Sequence, residues 1–342
     1  MNPKRAIFAI LGVLALPLAA SAAHARSPHW RVKKVWRIGG AGRWDYVTMD
    51  PGDDLVYITR QTHTLALDGK TGKTVADIPG QEGSHGVALA YSAGRGFITD
   101  GKAGDVVVFD LKTRRVLGRL RTAPDSDGIV YDPASGKLLV VSGDGHSIIP
   151  IAPDVDLKTG AAGEPLDLGG RPEFLAVDGK GRAYVNLVDK DEVAVVDTKA
   201  MKVVARWPVA PGGKPTGMAI DVEHQRLFIG CRKPAKMIVM SAADGKVLAA
   251  LPIGQGVDAT ALDGREAFAS CGDGTLSVVR ETRPGKFVVV QVLKTLKGAR
   301  TLGVDAPSGR VYLPTALFGR KKNKHGWPIP KPGTFRVVVV GR

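Results

Sequence analysis

The segment GKPTGMAIDVEHQRLFIGC, residues 213–231, contains two short apolar runs joined by a polar turn. Runs of this length that are rich in β-branched and aromatic residues are typical of antiparallel strands. Variants of the segment recur every 41 to 46 residues, counted at the residue that ends the first run of each copy. These residues are Asp50, Tyr91, Asp132, Asp178, Asp221, Asp263 and Asp305.

A repeat of about 40 residues with four strand-like runs is typical of one blade of a β-propeller. Residues 174–209 show the unit most clearly, as FLAVDG, RAYVNLV, EVAVVDT and VVARWPV separated by turn residues. No segment between these runs has the apolar spacing of a long amphipathic helix. The seven copies therefore predict an all-β protein, a seven-bladed β-propeller with four antiparallel strands per blade.

The last copy is one strand short, because only TLGVDA, RVYLPTA and TFRVVVVG precede the C-terminus at Arg342. The segment KKVWRIGG, residues 33–40, resembles the outer strand MKVVARWPV of residues 201–209. An open ring would leave exposed strand edges, which proteins avoid. We therefore predict that the N-terminal strand pairs with the C-terminal blade and that residues 26–342 form a single domain.

Residues 1–25 have the pattern of a secretory signal peptide: Lys4 and Arg5, then an apolar run, then the cleavage site Ala23-His24-Ala25. The apolar run is too short to span a bilayer, which takes about 20 residues. The sequence contains no second hydrophobic segment, so we expect no membrane span. The mature protein is expected in the periplasm or outside the cell, as a monomer.

The chain has 48 Lys and Arg residues against 33 Asp and Glu, a formal net charge of +15. Removal of Lys4 and Arg5 with the signal peptide leaves 46 basic residues and a net charge of +13. Such a surface favours acidic partners, including nucleic acids and anionic polysaccharides. Its apolar fraction of 44% and charged fraction of 24% exclude collagen and disordered chains of low hydrophobicity.

The repeats resemble the YVTN-repeat, or YncE-like, β-propellers of bacterial envelopes over essentially the whole mature chain. The segments that carry the resemblance agree with that family in order and spacing. They are GSHGVALA (83–90), GRPEFLAVD (170–178), AYVN (183–186), KPTGMAID (214–221), RLFIGCR (226–232), GVDATALD (256–263), GARTLGVD (298–305) and PGTF (332–335). The resemblance implies a propeller fold and a possible link to DNA binding. It implies no catalytic motif.

In a four-stranded antiparallel blade the first strand begins where the second strand ends, because successive strands reverse direction. The starts of the seven inner strands should therefore surround one mouth of the central channel, on what we call the crown face. The predicted ligand-binding residues there are Trp44, Asp45, His85, Asp127, Glu173, Thr216, Asp258 and Arg300. The ends of the second strands, Arg232 among them, should form an outer and more basic ring.

Asp and Thr just before a strand also commonly cap turns through their own backbone, which is a purely structural role. Turn capping does not select Trp, His, Glu or Arg, so Trp44, His85, Glu173 and Arg300 favour a ligand instead. Polar groups that converge on a channel are the usual starting point for a binding-site hypothesis.

Two classes of function fit these residues. The first is a non-catalytic module that binds a small molecule, a protein or a polyanion through the crown face. The second is an enzyme at the channel mouth, such as a metal-assisted hydrolase or lactonase, with Asp45, Glu173 and Asp258 as metal ligands and His85 as base. The G-x-S-x-G, H-E-x-x-H and Walker motifs are absent. We adopt the binding module, and the sequence identifies no cofactor.

An insertion, GRKKNKHGWPIPKPG at residues 319–333, lies between the second and third strands of the last blade, on the crown face. Basic side chains beside an aromatic ring can bind a polyanion by counterion release and stacking. The alternative is a solvated loop that its prolines keep extended. The residues of the polyanion hypothesis, with single-stranded DNA as one ligand, are Arg320, Lys321, Lys322, Lys324 and Trp327.

The two cysteines, Cys231 and Cys271, end the second strands of adjacent blades. Export permits a disulfide between them. Packed sheets lie about 10 Å apart, however, whereas a disulfide needs Cα atoms within about 7 Å. The sequence leaves both a bridge and two free thiols open.

Overall fold

The computed structural model describes residues 29–323, 326 and 328–342. The predicted signal peptide, residues 1–25, lies outside the described residues, as do Lys324 and Trp327 of the insertion. The described residues form the predicted all-β, seven-bladed propeller, in which each blade is an antiparallel sheet of four strands.

Blades 1 and 2 share one long strand. The first part of this strand is the outer strand of blade 1, and its last part is the inner strand of blade 2, so the two blades form one seven-stranded sheet. A short 3-10 turn, Tyr91–Ala93, follows it. The strands up to the end of blade 2 are β1 (Arg31–Arg37), β2 (Val47–Asp50), β3 (Leu55–Thr59), β4 (Gln61–Asp68), β5 (Thr74–Ala90), β6 (Arg95–Asp100), β7 (Asp105–Asp110) and β8 (Val116–Arg121).

Blades 3 to 6 each contain four consecutive strands. The outer strand of blade 3 has only two residues, after an irregular segment at 152–165. The strands of blade 3 are β9 (Ser126–Asp132), β10 (Lys137–Ser142), β11 (Ser147–Ile151) and β12 (Leu166–Asp167). Those of blade 4 are β13 (Pro172–Val177), β14 (Arg182–Leu187), β15 (Glu192–Asp197) and β16 (Lys202–Pro208). Blades 5 and 6 contain β17 (Pro215–Asp221), β18 (Arg226–Arg232), β19 (Ala235–Ser241), β20 (Val247–Pro252), β21 (Val257–Asp263), β22 (Glu266–Cys271), β23 (Thr275–Arg283) and β24 (Lys286–Lys294).

Blade 7 is completed by the N-terminus, as predicted. The remaining strands are β25 (Gly303–Asp305), β26 (Arg310–Thr315), β27 (Phe318–Lys322), β28 (Pro328–Pro330) and β29 (Arg336–Gly341). Strand β1 pairs antiparallel with β29, from Arg31 opposite Gly341 to Arg37 opposite Arg336. The closing strand thus lies slightly earlier in the chain than the predicted 33–40. The insertion forms its own two-stranded hairpin of β27 and β28.

The core lies between neighbouring blades. The second and third strands of a blade are covered on both faces, so they are continuous apolar runs such as LVYIT in β3, which is buried throughout. The outer strand β16 alternates between more and less exposed residues, as expected where one face meets solvent. Inter-blade packing of β-branched side chains therefore holds the ring together. The polar residues of the site lie outside this core, at the ends of the strands.

Candidate functional site

Six of the predicted crown residues meet at the channel mouth, and Arg232 joins them. We call this group the mouth network, and it consists of Asp45, His85, Asp127, Glu173, Arg232, Asp258 and Arg300. Each member contacts an oppositely charged member from another blade. The network therefore places paired charges at the crown end of the channel.

One half of the network is centred on His85. Its Nδ1 lies 2.6 Å from Asp45 Oδ2 and 3.5 Å from Asp127 Oδ1. Burial disfavours the charged imidazole, but the two carboxylates outweigh burial and raise the pKa of His85 to about 10. His85 is therefore protonated at neutral pH and donates a hydrogen bond to Asp45.

The other half is centred on two arginines. Arg232 donates to Asp258, and its Nη2 lies 3.4 Å from Glu173 Oε1. Arg300 donates from Nη1 to Asp258 Oδ2 over 2.8 Å, and its Nη2 lies 3.6 Å from Asp45 Oδ1. Because Asp45 contacts both His85 and Arg300, it connects the two halves.

Three of the carboxyl groups, those of Asp45, Asp127 and Glu173, differ in the direction of their pKa shifts. Burial alone would raise the pKa of Asp45, but the hydrogen bond from His85 and the positive charges around it lower that pKa below its ordinary value. Burial raises the pKa of Asp127 well above its ordinary value, although His85 opposes the shift. Burial also raises the pKa of Glu173, with Arg232 opposing. Asp45 is thus the firmly ionised partner of His85.

Hydroxyl groups of the preceding blade hold the backbone of the mouth residues in place. Thr59 Oγ1 donates to His85 O over 2.8 Å, and Thr99 Oγ1 donates to Asp127 O over 2.6 Å. Equivalent bonds from Ser270 to Arg300 O and from Thr301 to Asp45 O complete the set. Thr59, Thr99 and Ser270 were not predicted from the sequence, although a small polar residue at the end of a buried second strand is a recognisable signal.

Two predicted mouth residues lie outside the network. Thr216 is fully buried, and its hydroxyl bonds to the carbonyls of Gly230 and Val257, which is a structural role. Trp44 turns away from the channel and packs against Phe318 and Phe335 of blade 7. The loop before Trp44 is held by Arg60, whose guanidinium stacks on Phe335 and donates to three loop carbonyls.

Below the mouth network, two aromatic rings meet across the channel. The rings of Tyr46 from blade 1 and Phe174 from blade 4 have centroids 5.0 Å apart, and Tyr46 Oη donates to Glu173 O over 3.4 Å. Beyond them lies a cavity of about 580 Å³ that is lined mainly by apolar side chains of the inner strands, such as Val47, Leu89 and Ile129. Charged groups are therefore concentrated at the crown end.

The metal ligands expected from the sequence, Asp45, Glu173 and Asp258, are not grouped in this way. Glu173 and Asp258 both contact Arg232, which leaves their oxygens engaged by a cation. Among the described residues, the groups that could hold a metal ion are Asp45, His85 and Asp127, whose ligand atoms lie within 4.8 Å of one another. A metal at this place would have to displace the proton that His85 shares with the carboxylates.

The two cysteines are free and buried. Cys231 packs in the core between blades 4 and 5 and Cys271 in the core between blades 5 and 6, so the disulfide alternative is not formed. Burial raises the pKa of each thiol to about 12. Both act as small apolar core residues.

The crown side of blades 6 and 7 carries exposed cations, which we call the basic sector. None of them forms an ion pair with any other residue within the described ranges. Its members are Lys294, Lys297, Arg320, Lys321, Lys322 and Lys331. Asp273, an acidic residue in a neighbouring turn, does not pair with these cations, because its carboxylate accepts hydrogen bonds from Gln255 and Thr275.

The fold and the site together define a seven-bladed β-propeller with a charge-paired channel mouth. No family model matches the chain, and no curated protein matches it in sequence. Among solved structures it is similar to U3-55K, with 10% identity and a TM-score of 0.73 over 90% of this chain and 98% of that chain. It is also similar to the WD40 repeats of RRP9, with 9% identity and a TM-score of 0.74 over 91% of this chain and 97% of that chain. At such identities the similarity shows the fold alone. No helix within the described part of the chain is long and apolar enough to cross a membrane.

Proposed function

We propose that this protein is an exported binding module that recognises a polyanion through the crown face. The observation that carries the proposal is the contrast between two groups of charges on that face. The mouth network is internally paired, whereas the six cations of the basic sector are exposed and without ion pairs among the described residues. Exposed cations without an acidic partner among the residues that the structure describes are available to an external anion.

The hairpin of β27 and β28 places these cations well for an extended ligand. Arg320, Lys321 and Lys322 follow one another along β27 with exposed side chains. Lys297 lies at the base of the same hairpin, because its neighbour Gly298 packs against the Phe318 ring. A chain of phosphates or carboxylates could contact several of these side chains at once and release counterions at each contact.

The protonation of His85 argues against the role of general base that the enzyme alternative assigns to it. A general base must be unprotonated at the working pH, and the carboxylates of Asp45 and Asp127 keep His85 protonated at neutral pH. The metal-assisted alternative is tested separately by elemental analysis. A content of about one Ca, Zn or Mg ion per chain that is lost in the Asp127→Asn variant would favour a metal-dependent enzyme over the binding module.

Salt titration with single-stranded DNA as the probe tests the polyanion proposal. The triple variant Arg320→Gln, Lys321→Gln and Lys322→Gln should reduce the slope of log affinity against log salt by up to about 2, at about 0.7 per phosphate contact. The control is the triple variant Lys180→Gln, Lys199→Gln and Lys202→Gln, which removes the same charge from exposed positions on the other face of blade 4. Equal slopes for the two triple variants would reject the proposal for the basic sector.

Export and family membership belong to the same proposal. Residues 1–25 support cleavage after Ala25 and a periplasmic or secreted monomer, and the segments quoted above support membership of the YVTN-repeat, YncE-like propellers. N-terminal sequencing of the protein recovered from the periplasm should begin at Arg26. Protein that still begins at Met1 would contradict export by this route.

A further inference from the structure

A small cavity lies between blade 7 and the loop that carries Trp44, beside the mouth network, with which it shares Arg300. Its volume is about 130 Å³, close to the roughly 150 Å³ of an engineered cavity that accepts benzene. The walls are flat and apolar on one side, formed by Trp44, Phe318, Pro328 and Pro330. The cavity therefore fits one planar ring.

The ionisable groups that line this cavity are all cationic. They are Arg43, Lys297 and Arg300. Arg300 is engaged by Asp258 and Asp45, but neither Arg43 nor Lys297 forms an ion pair with another residue in the described part of the chain. Burial, followed by the charge of Arg300, lowers the pKa of Arg43, which shows that positive charges crowd this wall. A bound anion would relieve that crowding.

We infer that this cavity binds a small aromatic carboxylate, with its ring against the apolar wall and its carboxylate facing Arg43 and Lys297. Flat walls select a planar ring over a branched aliphatic group. The two cations, which form no ion pair among the described residues, select an anion over a neutral ring. Lys297 also belongs to the basic sector, but this site is tested with a different ligand, and the variants that test the polyanion proposal leave Lys297 unchanged.

Benzoate is the probe, and its affinity is measured by calorimetry and by ligand-observed NMR on the intact protein. Benzoate should bind saturably, and benzyl alcohol and acetate should each bind at least about tenfold more weakly, because each lacks one half of the recognised structure. The Lys297→Gln variant should weaken benzoate binding about tenfold while leaving the weak binding of benzyl alcohol unchanged.

Trp44→Phe replaces the indole of the apolar wall with a smaller ring, and it should weaken benzoate binding several-fold. Its matched control is Trp36→Phe, because Trp36 is about equally buried but packs on Tyr312 outside the cavity. Absence of saturable benzoate binding by the wild-type protein would overturn the inference. So would benzoate affinities that are equal in wild type, Trp44→Phe and Lys297→Gln, and benzyl alcohol binding as tight as benzoate would overturn the assignment of an anion.

Discussion

His85 of blade 2 donates a hydrogen bond from Nδ1 to Asp45 Oδ2 of blade 1 over 2.6 Å, and this contact joins two blades at the channel mouth. The imidazole also faces Asp127 of blade 3 at 3.5 Å, so a single cation holds three neighbouring blades together. This relationship makes the protonation of His85 part of the folding equilibrium.

Stability should therefore fall as the pH rises from neutral to about 10. Asp45, Asp127 and Asp125 face His85 and raise its pKa to about 10, above the value of about 6.5 in an unfolded chain. The stabilisation is fully present below pH 6.5 and is lost as the pH rises through the folded pKa. We expect a loss on the order of 2 kcal/mol between pH 6.5 and 10, since one pKa unit corresponds to about 1.36 kcal/mol and solvent screens part of the shift. Urea denaturation across this range is the measurement, and a His85→Gln variant with the same pH dependence as wild type would contradict the assignment.

Removal of Arg232 should destabilise the protein strongly at pH 7. Arg232→Met removes the cation from the half-buried Glu173 carboxyl and from the buried Asp258 carboxylate, so we expect a loss of about 2–4 kcal/mol. Adding Glu173→Gln should recover part of this loss, because the unpaired charge is then gone. The control is Arg182→Met, which breaks a pair with Asp197 whose side chains are 42% and 32% exposed and should cost under about 1 kcal/mol. Equal losses in the two single variants would show that the mouth network contributes no more than a surface pair.

The hydroxyl of Thr99 should contribute to the stability of the protein through its two hydrogen bonds. Thr99 is fully buried, and its Oγ1 donates to Asp127 O and accepts from Gly86 N. Thr99→Val keeps the shape and leaves both backbone groups unsatisfied, so we expect a loss of about 2 kcal/mol in chemical denaturation. Thr74→Val, at an exposed position of β5, is the matched control and should change stability by less than about 0.5 kcal/mol. A Thr99 variant as stable as the Thr74 variant would mean that blade contacts do not need this bond.

The fold could be predicted well from the sequence because each blade repeats the same pattern of apolar strands and polar turns. Turn residues such as Asp221 and Asp263 end inner strands where the spacing placed them. The repeat also located the closing strand. Blade 7 lacks an outer strand in its own repeat and an unpaired strand precedes blade 1, so the pairing of the two could be predicted. The continuous strand β5 was not predicted. Its two halves are joined through residues 79–84, and the backbone path of this connection is not part of the repeat.

The sequence predicted that most of these side chains lie at the channel mouth, but it did not predict how they pair. The repeat placed Asp45, His85 and Asp258 on one rim, and backbone geometry alone brings them together there. It could not show that Arg232 reaches inward, because the direction of a long side chain depends on its charged neighbours. Nor could it show that Trp44 turns outward, since that orientation depends on Phe318 of a hairpin that lies outside the repeat.

Removal of the closing strand should open the ring. Strand β1 covers the edge of β29, and Trp30 just before it donates from Nε1 to Glu266 of blade 6 over 2.8 Å, so the N-terminus fastens two blades. Deletion of residues 26–40 from the mature chain should expose the β29 edge and cause self-association, visible as higher-mass species in size-exclusion chromatography with light scattering. Deletion of residues 26–28 alone is the control and should leave a monomer. A synthetic peptide of residues 29–40 should restore the monomer when added to the longer deletion, because the free edge accepts a matching strand. A longer deletion that remains monomeric, with an unchanged melting temperature, would show that β1 is not needed to close the propeller.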